Sequence, residues 1–341
     1  MKKTLLLLLI LSLSVAMVYV GIACKTTAAE ETTAAEETTV AETEYTFGFV
    51  FGVDDPFYTT MGIAAQKKAD ELGIKIIFQT PSKWNADVQV PIVEALIASK
   101  VDFLILVPDD ANALIPVAKK AFDAGINVIT VDVWLGDMDY SEGDDSFVLS
   151  HMGSDNFEAG QAMGEAIAEI LDHKGNVYTM STLPGEGDVE LRYEGCSDVI
   201  SKYPEMQMIG LDYCDNDPSK AQEMTRAFIE ANSEVNCVWG TNVYSAQGAA
   251  MAVQNLGRTD IKCAAFDATE FAIEKLREGL FQMVLAQLPG EMGSMSVEAA
   301  YNFLKDGTKP DILVKTGYKV FTSDNVDDPD MQQYIYKGVS E

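Results

Sequence analysis

The chain has 341 residues, of which 24 are Lys or Arg and 53 are Asp or Glu, giving a formal charge of −29 at neutral pH. Such an excess of anions repels nucleic acid and anionic headgroups and excludes functions that rest on neutralising phosphates. The only histidines are His151 and His173, and cysteines 24, 196, 214, 237 and 263 lack paired spacing, so no zinc or other metal site is expected and the sequence leaves open whether any of the last four cysteines pair.

The chain opens Met1-Lys2-Lys3, runs through an apolar segment over 4–20 and reaches Gly21-Ile22-Ala23-Cys24. A charged start, a short apolar core and small residues before a cleavage point predict a secretory signal over 1–23. A transmembrane anchor is the alternative, but the run is at the short limit for crossing about 30 Å of hydrocarbon. Cys24, directly after Ala23, resembles the lipid-bearing first residue of mature bacterial lipoproteins, which implies anchoring to the outer face of the cytoplasmic membrane. Residues 24–44 are a Thr/Ala/Glu near-repeat whose one large apolar residue is Val40, so they read as a tether rather than a packed element.

Residues 45–341 suffice for two domains with sizeable cores. The apolar run from Phe47 to Val53 predicts a buried strand that ends at Asp54-Asp55-Pro56, and a helical pattern through Met61, Ala65, Ala69 and Leu72 follows, with Gly73 as its stop. The alternation then repeats: strand 75–78, helix 86–99, strand 103–107, helix 111–124, strand 127–131. A second series begins with strand 147–152 and a helix containing Gly160, Met163 and Ile167. It continues with strand 176–180, helix 189–202, strand 208–213, helix 219–231, strand 236–240, helix 245–256, strand 261–266, helix 269–278 and strand 281–286. A helix over 289–303 and two short strands, 312–314 and 318–321, close the pattern. Continuous apolar strands separated by helices of about a dozen residues predict α/β architecture: two similar doubly wound parallel-sheet lobes.

In such sheets ligands bind beyond the carboxyl ends of the strands. Those ends carry Asp55 with Phe57 and Tyr58, then Asp132, then Asn242 after Gly240-Thr241, then Asp267 and Gln287, while Arg192 follows the loop Gly185-Glu186-Gly187. Carboxylates, amides and a guanidinium beside aromatic faces suit a polyhydroxylated ring, whose hydroxyls take planar partners and whose C–H face packs on aromatics. Some of these residues have a plainer reading: Asp155 suits a helix cap, Asp55 suits a cap as well as a ligand contact, and Arg192 could pair with Glu190 or Glu194.

Asp55-Pro56-Phe57-Tyr58, Val128-Ile129-Thr130-Val131-Asp132, Ser154-Asp155-Asn156, Phe266-Asp267 and Ala286-Gln287-Leu288-Pro289, in this order and spacing, resemble the ribose and galactose branch of the type I periplasmic solute-binding proteins. The resemblance implies two lobes joined by a three-stranded hinge, crossed near Gly153-Ser154, near Gln287-Leu288 and around Thr316-Gly317. The N-terminal lobe would comprise 45–153 plus 288–316, and the C-terminal lobe 154–287 plus 317–341. It implies that Phe57 and Tyr58 stack on a sugar, that Asp132 and Asp267 accept its hydroxyls, that Arg192 donates a forked pair, and that Asp55, Asn242 and Gln287 join them. Asp55 and Val133 depart from the family, which has an amide and an arginine there, and a stacking aromatic of the second lobe is missing near Asn216-Asp217, a gap that Trp134 is positioned in sequence to fill.

The expected function is therefore that of a monomeric, exported, lipid-anchored substrate-binding protein without cofactor, which captures a neutral monosaccharide or polyol by hinge closure and delivers it to an ABC permease. A sensor presenting its ligand to a chemoreceptor or sensor kinase is the alternative. A glycosidase using Asp55 and Asp267 as acid and base is a remote one, since no nucleophile motif, phosphate loop or metal triad accompanies them.

Overall fold

The computed structural model describes residues 44–338. The signal, Cys24 and nearly all of the tether therefore lie outside the described residues. No helix among the described residues is long and apolar enough to cross a membrane.

Two six-stranded sheets form the frame. The first contains β1 (Thr46–Val50), β2 (Lys75–Gln79), β3 (Phe103–Leu106), β4 (Asn127–Val131), β5 (Val148–Ser154) and β11 (Leu313–Thr316), in the order β11-β5-β4-β3-β1-β2. The second contains β6 (Gly175–Ser181), β7 (Met206–Tyr213), β8 (Val235–Gly240), β9 (Lys262–Phe266), β10 (Phe281–Gln287) and β12 (Tyr318–Phe321), in the order β12-β10-β9-β8-β6-β7. The two orders correspond position by position, so β4 and β9 hold the same place in their sheets. Every pairing is parallel except that of β10 with β12. The parallel strands are near-continuous apolar runs because helices cover both of their faces.

The chain passes between the sheets three times, from β5 into α4 (Asn156–Ile170), from β10 into α9 (Pro289–Asp306), and from β11 into β12 across Gly317. Helix α9 packs against α1 (Pro56–Leu72) of the first lobe, where a Cβ on Gly293 would lie 2.3 Å from the Met61 carbonyl. The two lobes are thus each assembled from non-contiguous chain.

Local chemistry explains the element ends. Asp55 caps α1 by accepting from the Tyr58 N–H at 2.9 Å, Pro56 supplies the preset first turn, and Gly73 closes the helix at φ 69°. Helix α3 (Ile115–Asp123) starts later than its apolar pattern suggests. Asp110 Oδ1 accepts from the N–H groups of Asn112 and Ala113, which holds the preceding residues in turns, and Pro116 then fits the first helical turn. The four cysteines of the second lobe, 196, 214, 237 and 263, are buried free thiols.

Candidate ligand-binding cleft

The carboxyl ends of both sheets face one cleft, with about 440 Å³ of space not filled by atoms when its mouth is counted. The first lobe contributes Val53, Asp55, Phe57, Tyr58, Trp84 and Asp132. The second contributes Glu186, Asp188 and Val189 with Arg192, then Asn216, Asn242 and Val243, and finally Asp267 and Gln287. The cleft thus brings together Asp55, Phe57, Tyr58, Asp132, Arg192, Asn242, Asp267 and Gln287.

Asp132 and Asp267 follow the equivalent strands β4 and β9, and both adopt left-handed backbone, at φ 65° and 72°. That conformation is unfavourable for a side-chain-bearing residue and persists where surrounding contacts fix it. Here the backbone N–H of each is held by the next strand, Asp132 by the Met152 carbonyl at 2.9 Å and Asp267 by the Leu285 carbonyl at 2.7 Å. The turn aims both carboxylates across the cleft. A phenol steadies each one: Tyr58 OH donates to Asp132 Oδ2 at 2.7 Å, and Tyr336 OH donates to Asp267 Oδ1 at 3.0 Å. Burial, reinforced by the adjacent carboxylate, raises both phenols well above their ordinary pKa, so they remain donors.

Arg192 reaches the cleft because α4 and α5 (Gly187–Ile200) approach closely. A Cβ on Gly160 would sit 2.2 Å from the Arg192 carbonyl, and one on Gly195 would sit 2.1 Å from the Phe157 carbonyl, so only glycine permits this spacing. The guanidinium is 2 % exposed. Its Nε donates to Asn156 Oδ1 at 2.8 Å, Nη1 to the Thr241 carbonyl at 2.9 Å and Nη2 to Gln287 Oε1 at 3.1 Å, and Nη2 also lies 3.2 Å from Asp188 Oδ2. The ion-pair partner is Asp188, one turn earlier on the same helix face, and not Glu190 or Glu194. Three of its five N–H groups thus make hydrogen bonds inside the protein and the Asp188 ion pair adds a fourth contact, so this guanidinium is largely engaged by its own lobe.

Gln287 links the lobes. Its Nε2 donates to Asp267 Oδ1 at 2.9 Å while Oε1 accepts from Arg192 and from Ser154 Oγ, the latter at 2.9 Å across the first crossover. Gly153 and Leu288 flank these crossovers, the latter immediately before α9. Asn242 caps α7 (Val243–Asn255) through the Ser245 N–H and donates from Nδ2 to Asn216 Oδ1 at 2.7 Å. Asp155 caps α4, and Lys315 Nζ lies 2.6 Å from its Oδ2.

Burial dominates the electrostatics. It pushes the Asp55 carboxyl up to about 7, with the Asp267 charge adding to the effect, and it pushes Asp132 and Glu186 each up to about 8, with Asp188 as the main repelling neighbour of both. Asp267 is raised in the same way, although Arg192 and Gln287 oppose the shift.

The structure does not bring Trp134 into this cleft. Its ring stands edge-on to His151 at 6.0 Å and closes against Gly187, lining a separate hollow behind the first crossover with Met138 and Leu313. The added aromatic is Trp84 instead, stacked with Tyr58 at 6.3 Å and 24°. It lies over Gly52, where a Cβ would be 2.1 Å from the indole. Glu186, Asp188, Asn216 and Tyr336 are the other polar residues of the site that sequence reasoning missed, and Val53, Val189 and Val243 the apolar ones. For Asp188 a signal existed, since residues four apart share a helix face.

Among the described residues, no group of three or more His, Cys, Asp or Glu side chains is arranged to hold a metal ion. The family described as periplasmic binding protein domain matches residues 47–309. The chain belongs to that family. It is 28 % identical over 253 residues to the ribose import binding protein of Salmonella typhimurium, covering 74 % of this chain and 82 % of that protein. It is 24 % identical over 259 residues to the D-allose-binding periplasmic protein of Escherichia coli, covering 75 % and 83 %. Among solved structures, an ABC transporter solute-binding protein from Agrobacterium vitis bound with α-D-tagatopyranose superposes with TM-score 0.84 at 34 % identity, covering 86 % of this chain and 100 % of that one. A periplasmic solute-binding protein from Actinobacillus succinogenes with bound D-allose gives 0.77 at 25 % identity, covering 84 % and 100 %. Both share with this chain the two-lobed type I periplasmic-binding-protein fold.

Proposed function

We propose that this chain is the substrate-binding component of an ABC importer, which captures a monosaccharide or related polyol between its lobes and presents the closed form to a membrane permease. The observation that carries the reading is the cleft itself: aromatic rings Phe57, Tyr58 and Trp84 lie on one lobe with the carboxylates Asp55 and Asp132, and further carboxylate, amide and guanidinium groups lie on the other. Family membership and the sugars named for its relatives point the same way. Binding is by closure: a ligand that touches both walls stabilises the closed state by its better contacts there, and the crossovers at 154–156, 287–289 and 316–318 are where the lobes would turn. The carboxylates act as hydroxyl acceptors held by fixed neighbours, so the protein binds its sugar without reacting with it.

The same reading assigns export by the signal over 1–23, lipid attachment at Cys24 and action as a monomer on the outer face of the cytoplasmic membrane. The test is calorimetric screening of the purified chain over pentoses, hexoses and polyols. A ligand at a hundred times its Kd adds about 2.7 kcal/mol of stability and raises Tm accordingly. A flat response to every sugar and polyol, their amino derivatives included, would refute the reading. Loss of uptake of the binding sugar in a deletion strain would assign transport, whereas intact uptake with lost chemotaxis or signalling would assign the sensor role.

A further inference from the structure

The lining of the cleft is unbalanced in charge. Five carboxylates, Asp55, Asp132, Glu186, Asp188 and Asp267, face one cation, Arg192. That cation is already engaged by Asn156, Thr241, Gln287 and Asp188. The partners of the remaining four carboxylates are neutral donors: the Tyr58 N–H for Asp55, the Tyr58 hydroxyl for Asp132, the Thr182 hydroxyl for Glu186, and Gln287 with Tyr336 for Asp267. Asp188 has an oxygen with no partner of any kind. Its Oδ1 is fully buried and accepts no hydrogen bond, in a residue that lines the cleft and is 6 % exposed.

A buried carboxylate without a counter-charge is unfavourable, and complementarity between partners is reached when the ligand brings the missing charge. A neutral sugar offers only hydroxyl dipoles to this wall. A ligand that carries an ammonium group beside its hydroxyls offers those dipoles and a full positive charge with up to three donors, which matches the empty acceptor and favours the ionised form of carboxyls that burial otherwise keeps protonated. We propose that the cleft is selective for an amine-bearing monosaccharide or polyol, with the Asp188 carboxylate, whose Oδ1 becomes reachable as the lobes part, receiving the ammonium and with Glu186 and Asp132 beside it. This rests on the assignment of the cleft as the sugar site. The upward displacement of Asp132 and Glu186, due first to burial and then to the Asp188 charge, agrees with a wall that lacks a cation.

The test is isothermal titration of the full chain at neutral pH and constant ionic strength with matched probes. These are glucose and galactose, their 2-amino-2-deoxy and 3-amino-3-deoxy forms, and the corresponding alditols with their 1-amino-1-deoxy forms. The expected result is that at least one amine binds ten-fold or more tightly than its hydroxyl counterpart. Asp188→Asn, and separately Glu186→Gln, should each reduce that ratio several-fold, so that one poorly folding variant does not decide the matter. If neutral sugars or alditols bind and every amine binds equally or more weakly, the selectivity is refuted while the sugar-binding reading stands. If no probe of either kind binds, both fail together.

Discussion

Replacing Arg192 by Met tests the network on which the second wall of the cleft depends. The side chain is 2 % exposed and meets Asn156, Thr241, Gln287 and Asp188, with its guanidinium carbon 4.8 Å from the centre of the Phe266 ring. Methionine fills most of the volume, so the loss is polar. It leaves the Asp188 carboxylate buried with neither oxygen paired and removes donors from Asn156 and from the Thr241 carbonyl. Removing one partner of a buried ion pair costs about 3–5 kcal/mol, and the shared partners make the terms non-additive, so the total should be about 4 kcal/mol. At roughly 2–4 °C per kcal/mol for a unit the size of one lobe, Tm should fall by about 8–16 °C in calorimetry. If the stranded Asp188 charge is the main cause, Asp188→Asn on top of Arg192→Met should restore about half of that loss, whereas Asp188→Asn alone should destabilise. Arg192→Lys keeps the charge without the planar fork and should fall between. A drop of less than about 2 °C for Arg192→Met, or a double variant whose losses simply add, would refute the reasoning.

Two further outcomes are expected. Tyr336→Phe removes the hydroxyl that donates to Asp267 Oδ1 at 3.0 Å and reaches the Gln287 carbonyl at 3.4 Å; a bond to a charged group contributes about 1.5–3 kcal/mol, so affinity for the binding sugar should fall about ten-fold or more by titration calorimetry, and unchanged affinity would show that the tyrosine does not set the aspartate. Without ligand, Tm should decline between about pH 5 and 8 at fixed ionic strength, because burial raises Asp132, Glu186 and Asp109 each to about 8 and Asp55 to about 7; stability from a raised carboxyl is complete below its unfolded pKa and disappears as pH rises through the folded one. Asp132→Asn should flatten that decline, and a wild-type profile that is level or rises with pH would contradict the assignment.

The alternation of elements was legible because each signal is local. Buried parallel strands must be apolar throughout, and helix ends announce themselves through residues such as Asp55, Pro56 and Gly73. The strand-end residues Asp132 and Asp267 were legible for the same reason, since each is a carboxylate standing at the end of a run with no other charged side chain in its buried part. Trp84 was not, because it lies in an irregular segment and its place depends on the absence of a side chain at Gly52, 32 positions away in sequence. Tyr336 lies beyond the last element that the sequence pattern predicts, among mostly polar residues. Only the folded chain shows its backbone N–H bound to the Ala268 carbonyl at 2.8 Å, the next N–H, of Lys337, bound to Thr60 Oγ1 at 2.7 Å, and its ring edge-on to Phe57 at 5.6 Å. Trp134 was misplaced by sequence proximity: the left-handed turn at Asp132 directs one side chain into the cleft and carries the chain two residues later behind it.

The internal likeness of the lobes explains why their walls differ. Asp132 and Asp267 are equivalent in strand position, backbone conformation and backbone hydrogen bonding, yet their phenols come from different places. In the first lobe, Tyr58 stands in the opening turn of α1, beside Phe57, so the helix start is aromatic. In the second lobe, the corresponding helix α5 opens with Glu186, Gly187 and Asp188, anions that the positive end of a helix favours, and Tyr336 is brought from the C-terminal segment instead. One wall thus presents rings beside Asp55 and Asp132, and the other presents acceptors around an internally engaged arginine. A ligand with an apolar face and a donor-rich face satisfies both walls only when the lobes are closed on it. On either wall alone it leaves rings hydrated or carboxylates unmatched, and that difference in contact is what would drive closure. The C-terminal segment adds a constraint of its own. It belongs to the second lobe through Ala268 and Asp267 but also touches Phe57 and Thr60 of the first, so opening the cleft widely enough to admit a ligand must loosen or carry these contacts.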